Sequence, residues 1–396
     1  MLRLPPERQP VIISARRSAI GRAGGMFGDL NIEDLAAPVM RAALENAQLT
    51  SDQVNDVILG NAAGPGGNVA RLCALSAWGD VSVPGVTTDR QCGAGLEAVI
   101  HACRLVQAGA GDVYVAGGVE SHSRKPLRAL PSDDGPVPYD RAQFSPEAIG
   151  DPEMIEAAET VAQTYAITRE RQDAYALQSQ MRASSAQTAG VFEAEIVPIE
   201  GQATDECPRG NLGLDRLAQL RPTTKGGTIT VANACPLNDG AAAVVVTSIA
   251  RAQTLGQSHG LAFEDAAIAG VDPKLLGIGP VTATRKLLAR RPDLALDRLT
   301  HLEFNEAFAA QVLASLDELA LPGTFPNPEG GAIALGHPFG ASGAILVTRL
   351  FSQLIRSPAP EHALAMAMIG IGGGQGITAA FRPVLIQGSS LQNIQE

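Results

Sequence analysis

The chain has 396 residues, 45% of them hydrophobic and 4% aromatic, with 42 glycines and a formal net charge of −11. That length can bury a large core over two or three domains, and the acidic balance argues against a nucleic-acid-binding surface. No apolar run reaches the ~18 residues of a membrane span, and Met1 to Arg8 lacks the apolar core of a signal peptide. Cysteines 73, 92, 103, 207 and 235 form an odd set with no CxxC or Cys/His metal spacing, which points to a reducing, cytoplasmic setting and to no metal site.

In chain order, Pro10 to Ala15 reads as a first strand and Asn31 to Ala47 as a helix that Asn31 can cap. Val57 to Gly60 is a second strand, and Asn68 to Ala77 a second helix. The β-branched run Val81 to Thr88 then leads into Cys92-Gly93-Ala94-Gly95, followed by apolar residues at helical spacing through Leu105 and a strand over 112–118. This alternation predicts a mainly parallel sheet covered on both faces. Residues 122 to about 150 are rich in Pro, Ser, Asp and Arg with no period, an inserted loop region. Two helices follow (156–166 and 168–187), then strands at Thr228 to Val231 and Asp239 to Thr247. The last third has a strand ending at Asn305, a helix from Gly340 to Leu354 and a strand from Ala363 that runs into Gly370-Ile371-Gly372-Gly373-Gly374. It echoes the Cys92 unit, which suggests an internal duplication.

Cys92 falls on a strand–turn–helix junction, where the helix dipole and unpaired first-turn N–H groups favour a reactive thiolate. Taken alone, that stretch also fits a small buried cysteine. The glycines at 372–376 are no dinucleotide fingerprint, because no acidic residue follows at the needed spacing. They suit close approach of backbone N–H groups to a bound acyl group.

Five stretches then carry a resemblance: Cys92 to Leu96, Cys235 to Ala242 (CPLNDGAA), Asn305 to Ala309 (NEAFA), Gly331 to Pro338 (GAIALGHP) and Gly372 to Gly376 (GGGQG). In this order and register, from Val11 to Phe381, the chain resembles the thiolase superfamily. The resemblance implies an α/β fold with a five-layered αβαβα core of two duplicated halves. The halves would be 1–120 with 236–268, and 269–396, with a loop domain at 121–235 covering coenzyme A. It implies an acyl-CoA acyltransferase in which Cys92 is acylated, His337 takes its proton, Asn305 holds a water in one oxyanion hole, and the N–H groups of Cys92 and Gly372 form another. Met154, Cys235, Ala307 and Phe308 match positions that contact CoA, while Arg124, Lys125 and Arg128 could meet its phosphates. CoA and acyl-CoA would be substrates, with no permanently bound cofactor, and the protein a homodimer or homotetramer.

One position departs from the family pattern. Where thiolases carry a second cysteine that exchanges a proton with the substrate α-carbon, this chain has Gly370. Three readings stay open: a thiolase-type acyltransferase with an altered Claisen step, a decarboxylating condensing enzyme using Cys92, His337 and Asn305, and a non-catalytic partner subunit.

Overall fold

The computed structural model describes residues 5–360 and 362–386. Strands β1 (Pro10–Ser18), β2 (Gly21–Arg22), β3 (Asp56–Gly60), β4 (Gly85–Thr88) and β5 (Val113–Ser121) are interleaved with helices α1 (Ile32–Asn46), α2 (Val69–Trp78) and α3 (Ala94–Ala108). Next come β6 (Arg128–Leu130), β7 (Val137–Tyr139), α4 (Met154–Thr164), α5 (Arg169–Thr188), β8 (Ile196–Val197) and α6 (Leu214–Ala218). The remainder holds β9 (Asn238–Ser248), α7 (Ile249–Thr254), β10 (His259–Gly270), α8 (Gly279–Arg290), β11 (His301–Phe304), α9 (Ala309–Glu318), α10 (Ala332–Leu335), α11 (Phe339–Phe351), β12 (Ala365–Ile371) and β13 (Gln375–Leu385).

Neighbouring strands run β11-β12-β13-β10-β1-β9-β5-β3-β4, and β2 and β8 add to β9 and β1. Two register pairs, Val11 with Ala262 and Ile12 with Leu261, join β1 to β10, so the sheet divides there into two halves. The order β10-β13-β12-β11 repeats β1-β9-β5-β3, which is the duplication that the sequence echo implied. Helices α3 and α11 pack on each other between the half-sheets, while α1 covers β1 and β9 and α8 covers β10 and β13. Alternating helix and sheet layers of this kind give the αβαβα core.

The sheet is mixed rather than mainly parallel. β3 pairs in parallel with β4 and β5, and β11 with β12, but β9 and β13 return antiparallel. For β13 the cause is local: only Gly372 to Gly374 separate it from β12, and so short a link permits only an antiparallel return. The predicted strand at Thr228 to Val231 does not form. Its backbone N–H groups go to side chains instead, those of Thr228 and Ile229 to the Glu159 carboxylate at 2.8 Å and that of Thr230 to Asn233 Oδ1 at 2.8 Å.

The inserted segment is tied to the core by a buried ion network. The Arg17 guanidinium donates to Glu195 at 2.7 Å and to Asp205 at 2.7 and 2.9 Å. Glu195 also accepts from Arg349 and, at 2.6 Å, from Ser352, and both guanidinium groups stack on Phe192. Removing the shared anion takes one buried partner from each guanidinium and leaves Arg17 with Asp205 and Arg349 with Glu329 at 3.1 Å, so the loss should fall below the about 3–5 kcal/mol typical of a fully broken buried pair. Glu195→Ala should therefore lower the urea midpoint, by about 1–3 kcal/mol of unfolding free energy, without changing the slope. A variant as stable as the parent would contradict this role.

Candidate active site

Cys92 sits on the turn between β4 and α3. The turn is fixed locally: Asp89 Oδ1 accepts the Gln91 N–H at 2.8 Å, and Gln91 adopts a positive φ of 47°, strained for a residue with a side chain. Arg90 pairs with Glu97 at 3.0 Å and donates to Gln375 Oε1 at 3.0 Å, binding the turn to the start of β13. The Cys92 sulfur thereby meets the backbone N–H groups of Gly372 and of Cys92 itself, within a residue that is half-buried overall.

Those donors do not produce a resting thiolate. Burial pushes the Cys92 thiol up to about 12, against the opposing pull of the two N–H groups, and the charges of Glu120 and Asp89 push the same way. The expectation from the helix terminus is thus outweighed by desolvation, a property of the packed site that its own stretch does not encode. Alkylation of the free enzyme by iodoacetamide at Cys92 should consequently keep rising through pH 10. A plateau near pH 8–9, the behaviour of an ordinary thiol, would contradict a raised pKa.

His337 follows α10 and precedes α11, 2% exposed. Gly336 before it has φ of 115°, and a Cβ there would meet the Asn238 carboxamide at 2.5 Å. That carboxamide accepts the His337 backbone N–H at 2.9 Å, so glycine at 336 lets the loop close onto its anchor. The ring is oriented through Nδ1, 2.6 Å from Ser342 Oγ, while the Ser342 hydroxyl donates to the Pro338 carbonyl at 2.9 Å. With its one hydrogen committed there, Ser342 accepts from Nδ1–H, which leaves the lone pair on Nε2. Burial pushes the imidazole down to about 3, keeping it neutral. Nε2 lies 3.4 Å from Nδ2 of Asn305, a 2% exposed residue whose N–H is held by the Met368 carbonyl at 2.9 Å.

Glu306 locks this motif in place. Its buried carboxylate accepts from Tyr175 at 2.9 Å, Ser179 at 2.7 Å, Asn327 at 2.7 Å and the Ile333 N–H at 3.1 Å. The inserted helix α5, the Asn305 loop and the segment leading to His337 thus share one anchor.

Met154, Cys235, Ala307 and Phe308 come together in one small apolar cluster with Ala234 and Ile229. The Cys235 N–H donates to the Ala307 carbonyl at 3.0 Å, and the Cys235 thiol is pushed well up, first by burial and then by Cys92. Next to this segment, sharing Ala234 with the cluster, is a cavity of about 520 Å³ whose apolar lining includes Leu217, Leu220, Val231 and Ala234. Arg22, Arg209 and Arg216 stand round it, and among the described residues none of them has an ion-pair partner. Two cations of the first loop are engaged elsewhere: Lys125 is paired with Asp140 and Arg128 donates to the Gly64 carbonyl at 3.0 Å. Arg22 and Arg209 lie far apart in sequence, so no local signal marks the cavity. Ser342 could have been found, five residues after His337 in the first turns of α11.

At Gly370 the atoms nearest to where a side chain would start belong to Gly277 and Gln311, neither of them titratable. A Cβ there would meet the Gly277 Cα at 2.8 Å and the Gln311 Nε2 at 3.2 Å. Among the described residues no group of three or more His, Cys, Asp or Glu could hold a metal ion, and no helix is long and apolar enough to cross a membrane.

Fold and site together define the class, an acyltransferase. The model of the thiolase N-terminal domain matches residues 10–250 and that of the thiolase C-terminal domain residues 257–383. The chain is 44% identical over 384 residues to the Staphylococcus epidermidis protein named "Putative acetyl-CoA C-acetyltransferase VraB", covering 94% of this chain and 98% of that one. The Staphylococcus aureus protein of the same name is 44% identical over 382 residues, covering 94% and 99%. The crystal structure of the Bacillus anthracis acetyl-CoA acetyltransferase superposes with a TM-score of 0.86 at 35% identity, over 95% of this chain and 99% of that one. The chain belongs to the thiolase family.

Proposed function

We propose that this protein transfers acyl groups from acyl-CoA through a thioester on Cys92, in the thiolase manner of Claisen condensation or thiolysis of 3-ketoacyl-CoA. The observation that carries the reading is the pair of backbone N–H groups, from Cys92 and Gly372, at one sulfur. A neutral His337 of defined tautomer beside Asn305 supplies the base. Attack of the Cys92 sulfur on the thioester carbonyl forms the new C–S bond as Nε2 of His337 takes the thiol proton. The carbonyl oxygen gathers charge against the two N–H groups. The bond to CoA then breaks, and the departing sulfur receives the proton from His337. Because both resting groups are neutral, proton transfer and attack must proceed together, which keeps the thiol quiet until substrate arrives.

CoA enters as a substrate. Its phosphates suit Arg22, Arg209 and Arg216, and its pantetheine arm suits the apolar cluster of Met154, Cys235, Ala307 and Phe308. Ala234 belongs to both the cavity wall and that cluster, which supports one continuous path. Residues 121–235 would act as the cover over it. A panel of acyl-CoA thioesters, read as loss of free thiol at Cys92, tests the reading; no acylation by any of them would sink it.

A second reading, decarboxylating condensation, is favoured by one observation: the space a side chain at 370 would need is closed by Gly277 and Gln311. Loss of CO₂ from a malonyl-type donor generates the carbanion without a proton-abstracting group. Condensation faster with malonyl-CoA than with acetyl-CoA would put this reading first.

A further inference from the structure

We infer that Phe144 sets the length of acyl chain this site accepts, its ring closing the space beside Cys92 to all but short groups. The inference rests on the acyl-Cys92 reading above. Its basis is steric. A Cβ placed on Gly372 would stand 2.7 Å from Cε2 and 2.9 Å from Cδ2 of Phe144. The ring therefore lies in contact with the glycine whose N–H meets the Cys92 sulfur, and so with the place where an acyl carbonyl would be held. Packing is also tight at the residue after Cys92, where a Cβ on Gly93 would meet Ile371 Cδ1 at 2.5 Å and Ile377 Cδ1 at 3.1 Å.

Phe144 is also held firmly for a residue in an irregular segment. The Arg141 guanidinium lies 4.7 Å over its ring centre, and Arg141 is pinned by Asp151 at 3.1 Å and Glu153 at 3.2 Å. Asp151 Oδ1 in turn accepts the Phe144 backbone N–H at 3.2 Å. One carboxylate thus fixes both the ring's backbone and the cation stacked on it. A wall built in this way excludes methylenes, whereas a loosely held ring would yield to them.

Phe144→Ala opens the wall without touching Cys92, His337 or Asn305. Acylation of Cys92 followed by mass spectrometry, with acetyl-CoA and hexanoyl-CoA in parallel, reads the effect as a ratio of second-order rates. The hexanoyl-to-acetyl ratio should rise about tenfold or more in Phe144→Ala, within the range that methylene discrimination spans, and by less in Phe144→Leu. An unchanged ratio in both variants, with acetylation intact, would overturn the inference and leave the acyl-enzyme reading standing. Failure of both thioesters to label the parent protein would overturn the two together. Should Phe144→Ala not fold, Phe144→Leu alone decides, a rise supporting the wall and no rise refuting it.

Discussion

Gly370→Cys should raise thiolysis of acetoacetyl-CoA by CoA about 10²-fold or more, while acylation of Cys92 by acetyl-CoA stays unchanged. The two half-reactions ask for different groups. In the proposed mechanism acylation needs the sulfur, a base at His337 and the paired N–H donors, none of which involves residue 370. Cleaving the carbon–carbon bond of a 3-ketoacyl thioester leaves negative charge on the α-carbon, and a positioned acid typically contributes about 10²–10⁴-fold to quenching it. Position 370 offers none, and the nearby Cys235 thiol has its pKa pushed well up, so it is a weak acid in one direction and a scarce base in the other.

The substitution has a steric cost. The new Cβ would stand 2.8 Å from the Gly277 Cα and 3.4 Å from its carbonyl oxygen, a backbone contact too close to persist, so the loop at Gly277 must shift. Overpacking of that kind typically costs about 1–3 kcal/mol, a loss of stability that leaves room for the gain in rate as long as the fold holds. A lowered melting temperature with faster thiolysis is the expected pair of results. Unchanged thiolysis in a folded variant would mean that the missing acid is not what limits the reaction.

His337→Ala should slow acylation of Cys92 about 10²–10⁴-fold, the usual contribution of a positioned base. The effect is expected to be large because the thiol is so far from ionised: with its pKa pushed up to about 12, the free enzyme at neutral pH holds almost no thiolate. Raising the pH should recover part of the loss, since hydroxide then does what Nε2 did. The variant tends to spare the fold, for the His337 backbone N–H still reaches Asn238 and Ser342 still donates to Pro338. Acylation of the variant at the parent's rate would remove His337 from the reaction.

The turns that carry the proposed site were legible before any coordinates. Cys92, Asn305, His337 and Gly372 each stand in a motif that fixes a turn. Each turn lies at the end of a strand or the start of a helix, which the β/α order marks in the sequence. Properties that depend on distant partners were not legible. The antiparallel return of β13 follows from a glycine turn, but pairing of β9 with both β1 and β5 is a matter of packing across the insertion. Thr228 to Val231 has strand residues, yet Glu159, far back in the chain, claims its backbone. Arginines at 22, 209 and 216 form one rim only after folding. The thiol's pKa was misjudged for the same reason: a helix terminus is visible in a sequence, the depth of burial is not.

Everything rests on a covalent acyl group at residue 92. Intact-protein mass spectrometry after incubation with acetyl-CoA, followed by peptide mapping, measures it directly. The account predicts one acetyl group per chain, on the peptide that contains Cys92, and none in Cys92→Ala. An unmodified parent protein, or an acetyl group that persists in Cys92→Ala, would contradict it.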